Sequence, residues 1–502
     1  MGEIQRTSGF LSVKSIGAII AGGLVGLLMG LAFYFDWLYL LSIPMLLAVL
    51  YVAIYHIDFL FQSIVFFTPL SVNIEEYTDQ FGLFLPTEPL LFGIMLLLVY
   101  YQLKAPIIDH GFFKHPLILM LLGYLAWLVI CSVTSTHPLV SFKSLLSRLW
   151  FLIPILFFGP VLLSKKGAVP RFFWLLTIGT TLVIVYTLLN HASYGFGEKE
   201  SHWVMSPFYK DHTIYGAAVA LVFPFPVMLF LMKKQTPLST LILGVLFLII
   251  LLGLYFSYTR AAWLSVFGAL VVSLLVFFKV RFTYVLALAI VAFGVLFWKQ
   301  DSIQMELARN KTEHTTEAFD ERLQSAANVT TDASNLERIN RWSCALEMFK
   351  ERPVFGFGPA TYAFEYARFQ EPENLTIIST NFGDMGNAHS EYLSALSETG
   401  LLGFVLFILF VGGVFYYLLT FIQRARGVNH SYFIIGLGML FSVSTYFIHA
   451  FLNNFLDTDK AAVPVYGMIA VLFLLNSRLT TQPNGGIQGG SVDSAHAMDL
   501  KM

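Results

Sequence analysis

Three side chains with the potential for catalysis lie beside apolar stretches, in a chain that has few charged residues overall. Arg260 lies in the short segment Ser257–Trp263 between two apolar runs, Arg338 lies in an amphipathic segment, and His389 stands at the expected entry to an apolar helix. A guanidinium is a rigid fork of donors that suits a phosphate. An imidazole titrates near neutral pH and can take a proton from a hydroxyl. These residue types suit a site that binds a diphosphate and activates a hydroxyl nucleophile, but each alone also has a structural explanation: an interfacial arginine for Arg260, a solvated helix face for Arg338 and an interfacial polar residue for His389.

Four more residues are candidates for substrate binding: Trp263, Arg341, His212 and Asp457. Three of them have a simpler structural explanation, which is an aromatic belt at the membrane interface for Trp263, a solvated helix face for Arg341 and a charged loop for Asp457. His212, beside Asp211, is weak evidence on its own. Asp457 and Asp459 also have the Asp-x-Asp spacing of metal–diphosphate sites, although three residues are weak evidence. The residues alone leave these alternatives open.

The composition identifies the kind of protein that carries these residues. Of 502 residues, 57% are hydrophobic and 12% are charged, and the mean hydropathy is +0.72. Soluble domains carry roughly 25% charged residues, so this chain has too few to cover a soluble surface of its size. Two isolated cysteines exclude a disulfide scaffold, and a net charge of −1 gives no basic character that would suggest nucleic acid.

The apolar runs predict an all-α polytopic membrane protein, because most are long enough to cross a bilayer as a helix and every backbone group must be satisfied within lipid; 57–70 is the doubtful span because it is short and ends at Pro69. We expect about 12–14 transmembrane helices. The fourteen candidate spans are 15–35, 38–55, 57–70, 88–103, 117–134, 148–164, 171–190, 212–232, 237–257, 261–278, 282–299, 399–422, 431–451 and 462–478.

Polar segments divide these spans into regions. Residues 1–299 hold about eleven spans, and residues 300–388 form one long polar loop with amphipathic helices. Residues 389–478 hold the C-terminal spans. The Gly/Ser/Asn-rich segment 479–502 is expected to be a disordered cytoplasmic tail.

The distribution of basic residues predicts the orientation. With a cytoplasmic N-terminus and one crossing for each span, fifteen Lys and Arg fall on the cytoplasmic side and six fall in short segments on the other side. The positive-inside rule supports this topology, and it places 300–388 outside the cytoplasm. Arg260, Arg338, His389 and Asp457, which come from four separate segments, then share the outer side.

Several ordered motifs carry a family resemblance. They are Arg260-Ala-Ala-Trp263, Arg338 four residues before Trp342, Pro353-x-x-Gly356-x-Gly358-Pro359, Ala388-His389-Ser390-Glu391-Tyr392-Leu393 and Glu398-x-Gly400-x-x-Gly403. In order and spacing around one long loop, these motifs resemble the O-antigen ligase and Wzy-type polymerase superfamily. The resemblance covers roughly residues 210–475.

The resemblance implies a GT-C-like helical bundle in a bacterial inner membrane, with its active site facing the periplasm. Such an enzyme takes a glycan from undecaprenyl diphosphate and uses no metal or other cofactor. Carried over residue by residue, Arg260 and Arg338 would hold the diphosphate, His389 would be the general base, and Asp457 would be a supporting acid. Ser390 stands where the family often has Asn.

The acceptor separates the remaining hypotheses. An O-antigen ligase transfers to a lipid A core sugar, and this is the function we favour. A polymerase transfers to another lipid-linked glycan, and a protein O-oligosaccharyltransferase transfers to protein. A polysaccharide or lipid transporter is the alternative from a different class, which predicts inverted repeats and charges at the middle of the membrane.

Overall fold

A computed structural model describes residues 42–74, 82–233, 235–281, 333–372, 375, 379 and 386–481, with scattered positions between 23 and 40. Most of the predicted span 15–35 and all of 282–299 lie outside the described residues. So do the first part of the long polar loop, up to 332, and the tail beyond 481.

The described chain is almost entirely helical. Its helices, in chain order, are α1 (Ser42–Tyr55), α2 (Ile57–Phe67), α3 (Thr87–Lys104), α4 (His110–Phe113), α5 (Pro116–Val133), α6 (Pro138–Phe151), α7 (Gly159–Leu162), α8 (Ala168–Ser193), α9 (His212–Val222), α10 (Phe225–Met232), α11 (Pro237–Tyr255), α12 (Arg260–Phe277), α13 (Ala333–Glu351), α14 (Tyr362–Glu365), α15 (Glu391–Ala425), α16 (His430–His449) and α17 (Asp459–Thr481). A π-helical stretch, Leu152–Phe157, extends α6, and short 3₁₀ turns occupy Glu200–His202 and Tyr366–Phe369. Strands β1 (Val72–Asn73) and β2 (Phe84–Leu85) pair antiparallel, with Val72 opposite Leu85.

Nine helical stretches among the described residues are long and apolar enough to cross a bilayer. The chain is therefore an all-α polytopic membrane protein, which confirms the fold class predicted from the sequence. Two predicted boundaries were wrong. The span expected at 148–164 begins at Pro138, and the span expected at 399–422 is part of a helix that begins at Glu391. Pro138 occupies the first turn of its helix, where its missing N–H costs nothing.

The chain divides into two compact units, residues 1–61 with 491–502, and residues 62–490. The second unit contains every element from β1 onward. Within it, α12 packs along α16, and α15 packs against α5 and α16. Glycines allow close approach, as is common between membrane helices: Gly436 lies against Ile422, and Gly438 lies against Met228.

Hydrogen bonds across the loops distinguish the two ends of the second unit. At one end, Arg426 donates to the Phe277 carbonyl at 3.1 Å, and Arg478 donates to the Ser164 carbonyl. At the other end, the Thr136 hydroxyl donates to the Phe357 carbonyl at 3.1 Å. Residues that the charge count assigned to the cytoplasmic side thus lie together at the first end. The polar loop residues lie at the second.

Candidate active site

His389 lies at the second end of the bundle, in a chain of polar side chains. Its Nδ1 is 3.3 Å from Asn453 Oδ1, and Asn453 Nδ2 is 3.0 Å from His449 Nε2. The backbone N–H of His389 donates to Asn387 Oδ1 at 3.0 Å, and its carbonyl accepts from Trp342 Nε1 at 3.4 Å. His389 has a φ of +48°, a conformation that non-glycine residues seldom adopt and that is common at functional sites.

The start of α15 holds His389 and Asn453 together. Ser390 caps the helix by accepting the Leu393 N–H. The next residue, Glu391, is buried, and its Oε1 accepts from the Tyr446 hydroxyl at 2.7 Å and from the N–H groups of Phe455 and Leu456 at 2.9 and 2.7 Å. One carboxylate therefore joins α15, α16 and the turn after α16.

The environment of His389 keeps its imidazole neutral. Burial, followed by the positive charges of Arg341 and Arg338, lowers the pKa of His389 to about 4, while the hydrogen bond to Asn453 acts in the opposite direction. At neutral pH the ring is therefore unprotonated and can accept a proton, as a general base must. The two arginines that lower this pKa are both on α13.

Arg341 and Arg338 differ in their surroundings. Arg341 is buried; its Nε donates to Glu337 Oε1 at 2.8 Å and its Nη1 donates to the Asn387 carbonyl at 3.0 Å. Its guanidinium also lies 5.0 Å from the centre of the Tyr366 ring. These contacts fix the 386–389 segment, so Arg341 positions His389. Arg338 is partly buried, and its charge acts on both His389 and His449.

Arg260 and His212 approach this site from the other side of His449. Arg260 is the first residue of α12, whose N-terminus lies against the C-terminal end of α16, with Ala261 beside His449. The Thr259 hydroxyl donates to the His212 carbonyl at 2.7 Å. The N-termini of α9 and α12 therefore meet beside His449, the residue that Asn453 joins to His389.

Trp263 lies one turn into α12, where an aromatic belt residue is expected. Its ring meets the Tyr255 ring edge-on, with centroids 6.4 Å apart. Tyr255 ends α11, so the two rings lie at the same level of the bundle. This position agrees with the membrane-interface explanation for Trp263.

Three glycines shape the backbone beside the site. Gly400 interrupts α15 with φ +68° and ψ −173°, a conformation open essentially only to glycine. Gly356 and Gly358 also have positive φ, and the Gly358 N–H donates to the Glu398 carbonyl at 2.8 Å. Trp127 Nε1 donates to the Thr399 carbonyl at 2.8 Å. The glycine turn and Trp127 thus satisfy carbonyls that the break in α15 releases, as backbone at membrane depth requires.

A cavity of about 180 Å³ lies beneath the 386–399 segment. By a similar measure, roughly 10–15 Å³ is enough for one water molecule. Its polar lining includes Arg148, Asp457, Glu391, Glu398 and Asn454. Asp457, predicted as a supporting acid, thus lies in a pocket with the guanidinium of Arg148.

Asp459 has different neighbours from Asp457. It is fully buried, and its Oδ2 accepts from the hydroxyls of Ser71 and Thr87, each at 2.5 Å. The adjacent Lys460 donates to the Thr68 carbonyl at 2.8 Å. The Asp-x-Asp pair is therefore split between the cavity and an anchor that ties α17 to the chain around β1.

Sequence reasoning missed Arg148, Glu391, His449 and the pair Asn453–Asn454. A signal existed for Arg148, because a cation inside a long apolar helix marks a functional site more often than a loop charge does. With the helix starting at Pro138, Arg148 lies within the helix rather than at its end. Asn453 and His449 carry no comparable signal, since neutral polar residues at a helix end are ordinary.

A comparison with protein families bears on this geometry. The sequence model of the O-antigen ligase family matches residues 244–408. This part of the chain is similar to the O-antigen ligase family. The matched region includes Arg260, Arg338, His389 and Gly400 but not Arg148 or Asn453, and it confirms the family predicted from the motifs. No curated protein matches the chain. This match, in a multi-pass membrane protein, supports a ligase or polymerase of lipid-linked glycans in general.

Proposed function

We propose that this protein transfers a glycan from undecaprenyl diphosphate to a hydroxyl of the lipid A core, at the periplasmic face of the bacterial inner membrane. His389 is the general base, and Arg260 and Arg338 hold the diphosphate. The observation that carries the proposal is a neutral imidazole held by Asn453 beside two arginines of α13, with His389 and both arginines inside the region that matches the O-antigen ligase family.

The hydrogen bonds suggest which nitrogen of His389 acts. Asn453 presents its Oδ1 to Nδ1, so Nδ1 carries the hydrogen in this assignment. Nε2 then has the lone pair that accepts a proton. His449 is assigned the complementary state, because Asn453 Nδ2 donates to its Nε2. Asn453 therefore positions both rings through one amide.

The reaction follows from these roles. The acceptor hydroxyl gives its proton to His389 Nε2 while its oxygen forms a bond to the anomeric carbon of the donor glycan. The bond between that carbon and the diphosphate oxygen breaks, and the electron pair leaves with undecaprenyl diphosphate. The arginines stabilise the charge that develops on the leaving group. Before the donor binds, the positive charge of Arg338 also lowers the pKa of His389 and so helps to keep its ring unprotonated.

A reconstituted assay tests the base. His389→Ala should lower kcat/KM for transfer roughly 10²–10⁴-fold, the usual worth of a general base. His430→Ala is a matched control, because His430 lies at the opposite end of the bundle and contacts the Leu231 carbonyl at 3.0 Å. Equal membrane insertion of both variants is checked by detergent gel filtration. Wild-type rates in His389→Ala would show that another group removes the proton.

The acceptor is tested in cells by deleting the gene. Loss of all glycan caps from lipid A indicates a ligase, whereas caps of a single repeat indicate a polymerase. Loss of glycan from protein alone indicates a protein O-oligosaccharyltransferase. Accumulation of donor on the cytoplasmic leaflet, with transfer intact in vitro, indicates a transporter.

A further inference from the structure

The cavity beneath the 386–399 segment contains polar atoms that have no partner. Arg148 Nε, Ser394 Oγ and Asn454 Oδ1 are buried, and each lacks a hydrogen-bond partner in the part of the chain that the structure describes. All three residues line the cavity. Ser394 is 8% exposed, so its hydroxyl is cut off from bulk water. Buried polar atoms are nearly always paired, and such a cluster therefore indicates an occupant.

One face of the broken helix supplies much of the lining. Glu391, Ser394 and Glu398 are spaced by three and four residues, so they project on the same side of α15. Glu391 and Glu398 are held by the protein: Glu398 Oε1 accepts from the Tyr362 N–H at 3.2 Å, and Glu391 is held by Tyr446 and two N–H groups. The lining is thus rigid before any ligand enters.

The charges exclude a diphosphate as the occupant. Among the described residues, the lining has three carboxyl groups, those of Asp457, Glu391 and Glu398, against the single guanidinium of Arg148. A diphosphate offers only acceptors, so it could satisfy Arg148 Nε but would face the carboxyl groups and Asn454 Oδ1 without a donor. A sugar hydroxyl both donates and accepts, so neighbouring hydroxyls of one ring can serve Arg148 and Asn454 together.

The size and the apolar lining agree with a sugar. Pockets for drug-sized ligands are roughly 300–1,000 Å³, so a cavity of about 180 Å³ suits a single ring rather than an oligosaccharide. Tyr124 and Phe407 line it as well and offer flat apolar surfaces. We propose that this cavity is a subsite for one uncharged pyranose ring, held by Arg148, Ser394, Asn454 and Asp457.

The subsite adjoins the proposed base. Asn387 lines the cavity, and its Oδ1 accepts the N–H of His389. Asn454 follows Asn453, which contacts the His389 ring. A ring in the cavity therefore lies beside the segments that hold His389, either as the acceptor sugar whose hydroxyl is deprotonated or as the first sugar of the donor. The identity of the sugar-bearing substrates in this inference rests on the proposed function, whereas the polar lining is a feature of the cavity itself.

Ser394→Ala tests the subsite, with Ser397→Ala as the matched control. The Ser397 hydroxyl donates to the Leu393 carbonyl at 2.9 Å, and this residue is not part of the cavity lining. Binding is measured by calorimetry on full-length protein in nanodiscs, with two probes: delipidated core oligosaccharide, and undecaprenyl diphosphate-linked glycan. Transfer is measured on the same preparations.

We expect Ser394→Ala to weaken one probe by about 5- to 10-fold, the worth of one hydrogen bond, and to leave the melting temperature unchanged or higher. Weaker binding of the core oligosaccharide identifies an acceptor subsite, and weaker binding of the lipid-linked glycan identifies a donor subsite. Ser397→Ala should bind both probes like the wild type. Equal affinities in all three proteins, or no binding of either probe to the wild type, would overturn the subsite. Normal binding without any transfer by the wild type would instead overturn the proposed function.

Discussion

The rate of transfer should be unusually insensitive to acid, because the proposed base resists protonation. With its pKa near 4, the His389 ring at pH 5.5 keeps about 97% of the neutral fraction that it has at pH 7.5. A histidine with the ordinary pKa of about 6.5 would retain about 10% of its neutral form over the same interval. We therefore expect kcat/KM to be almost unchanged between pH 7.5 and 5.5, and to fall tenfold per pH unit only below about pH 4, since this parameter reports the free enzyme.

The same shift acts on stability and has to be separated from catalysis. His389 binds a proton more readily in the unfolded chain than in the folded one, so its contribution to stability is complete above about pH 6.5 and is lost as the pH falls toward 4. Between pH 7.5 and 5.5 the loss is about 1.3 kcal/mol. The assay therefore uses initial rates on nanodisc-embedded protein, with the folded fraction checked at each pH by tryptophan fluorescence.

Two results would refute this reasoning. An acid limb of kcat/KM centred near pH 6.5 would mean that His389 is not shielded, or that a different group acts as the base. An acid limb that persists unchanged in the residual activity of His389→Gln would mean that the limb does not belong to this residue. The pH profile of kcat should differ from that of kcat/KM. A bound anionic diphosphate offsets the positive charge of Arg338, so the pKa of His389 is higher in the substrate complex. The acid limb of kcat should therefore lie at higher pH than the acid limb of kcat/KM.

Two substitutions test the scaffold around the base. Gly400→Ala should lower the free energy of unfolding by roughly 1–3 kcal/mol, because Gly400 has a glycine-only conformation and a Cβ there would meet the Val354 carbonyl. The control is Gly412→Ala, which lies in open space on the same helix and should be neutral or slightly stabilising in the same thermal melt. Equal melting temperatures for the two variants would contradict the strained turn. Arg341→Lys keeps the charge but loses the paired contacts of the guanidinium, so we expect kcat/KM to fall about tenfold while the acid limb set by His389 stays in place; an unchanged rate would show that Arg341 does not position the base.

The sequence predicted the neighbourhood of His389 better than it predicted the helix boundaries. The glycine motifs were informative because each glycine has a backbone role: Gly356, Gly358 and Gly400 all have positive φ, and they meet at one point. Arg338 and Trp342 were placed correctly on one amphipathic helix, and that helix ends at Glu351, before Pro353, as the proline requires.

The cavity was less predictable, because it depends on where helices begin. Apolar content alone started a span at 148, which left Arg148 at the very end of the expected helix, next to the loop. The ten preceding residues are mixed, and only Pro138 marks the true start. The Asn453 contact was unpredictable for a different reason: its partner is 64 residues earlier in the chain, and only tertiary packing brings the two together.

The Asp-x-Asp spacing was ambiguous for a geometric reason. Residues two apart do not share a face where a helix begins, so one aspartate was bound to turn away from the other. Asp457, before α17, faces the cavity, whereas Asp459 begins that helix and binds Ser71 and Thr87. A short acidic motif next to a helix start is therefore better interpreted as two separate residues until their partners are known.

The break in α15 connects the base to the cavity. A continuous helix from Glu391 would use the carbonyls of Glu398 and Thr399 within itself. Gly400 releases them, and the Gly358 N–H and Trp127 bind them from neighbouring segments. The segment before the break is thereby fixed independently of the membrane helix after it. His389 lies just before the first residue of this short helical segment, and one face of the same segment lines the cavity. The glycine motif thus acts at a distance, by fixing the short helix on which both parts of the site depend.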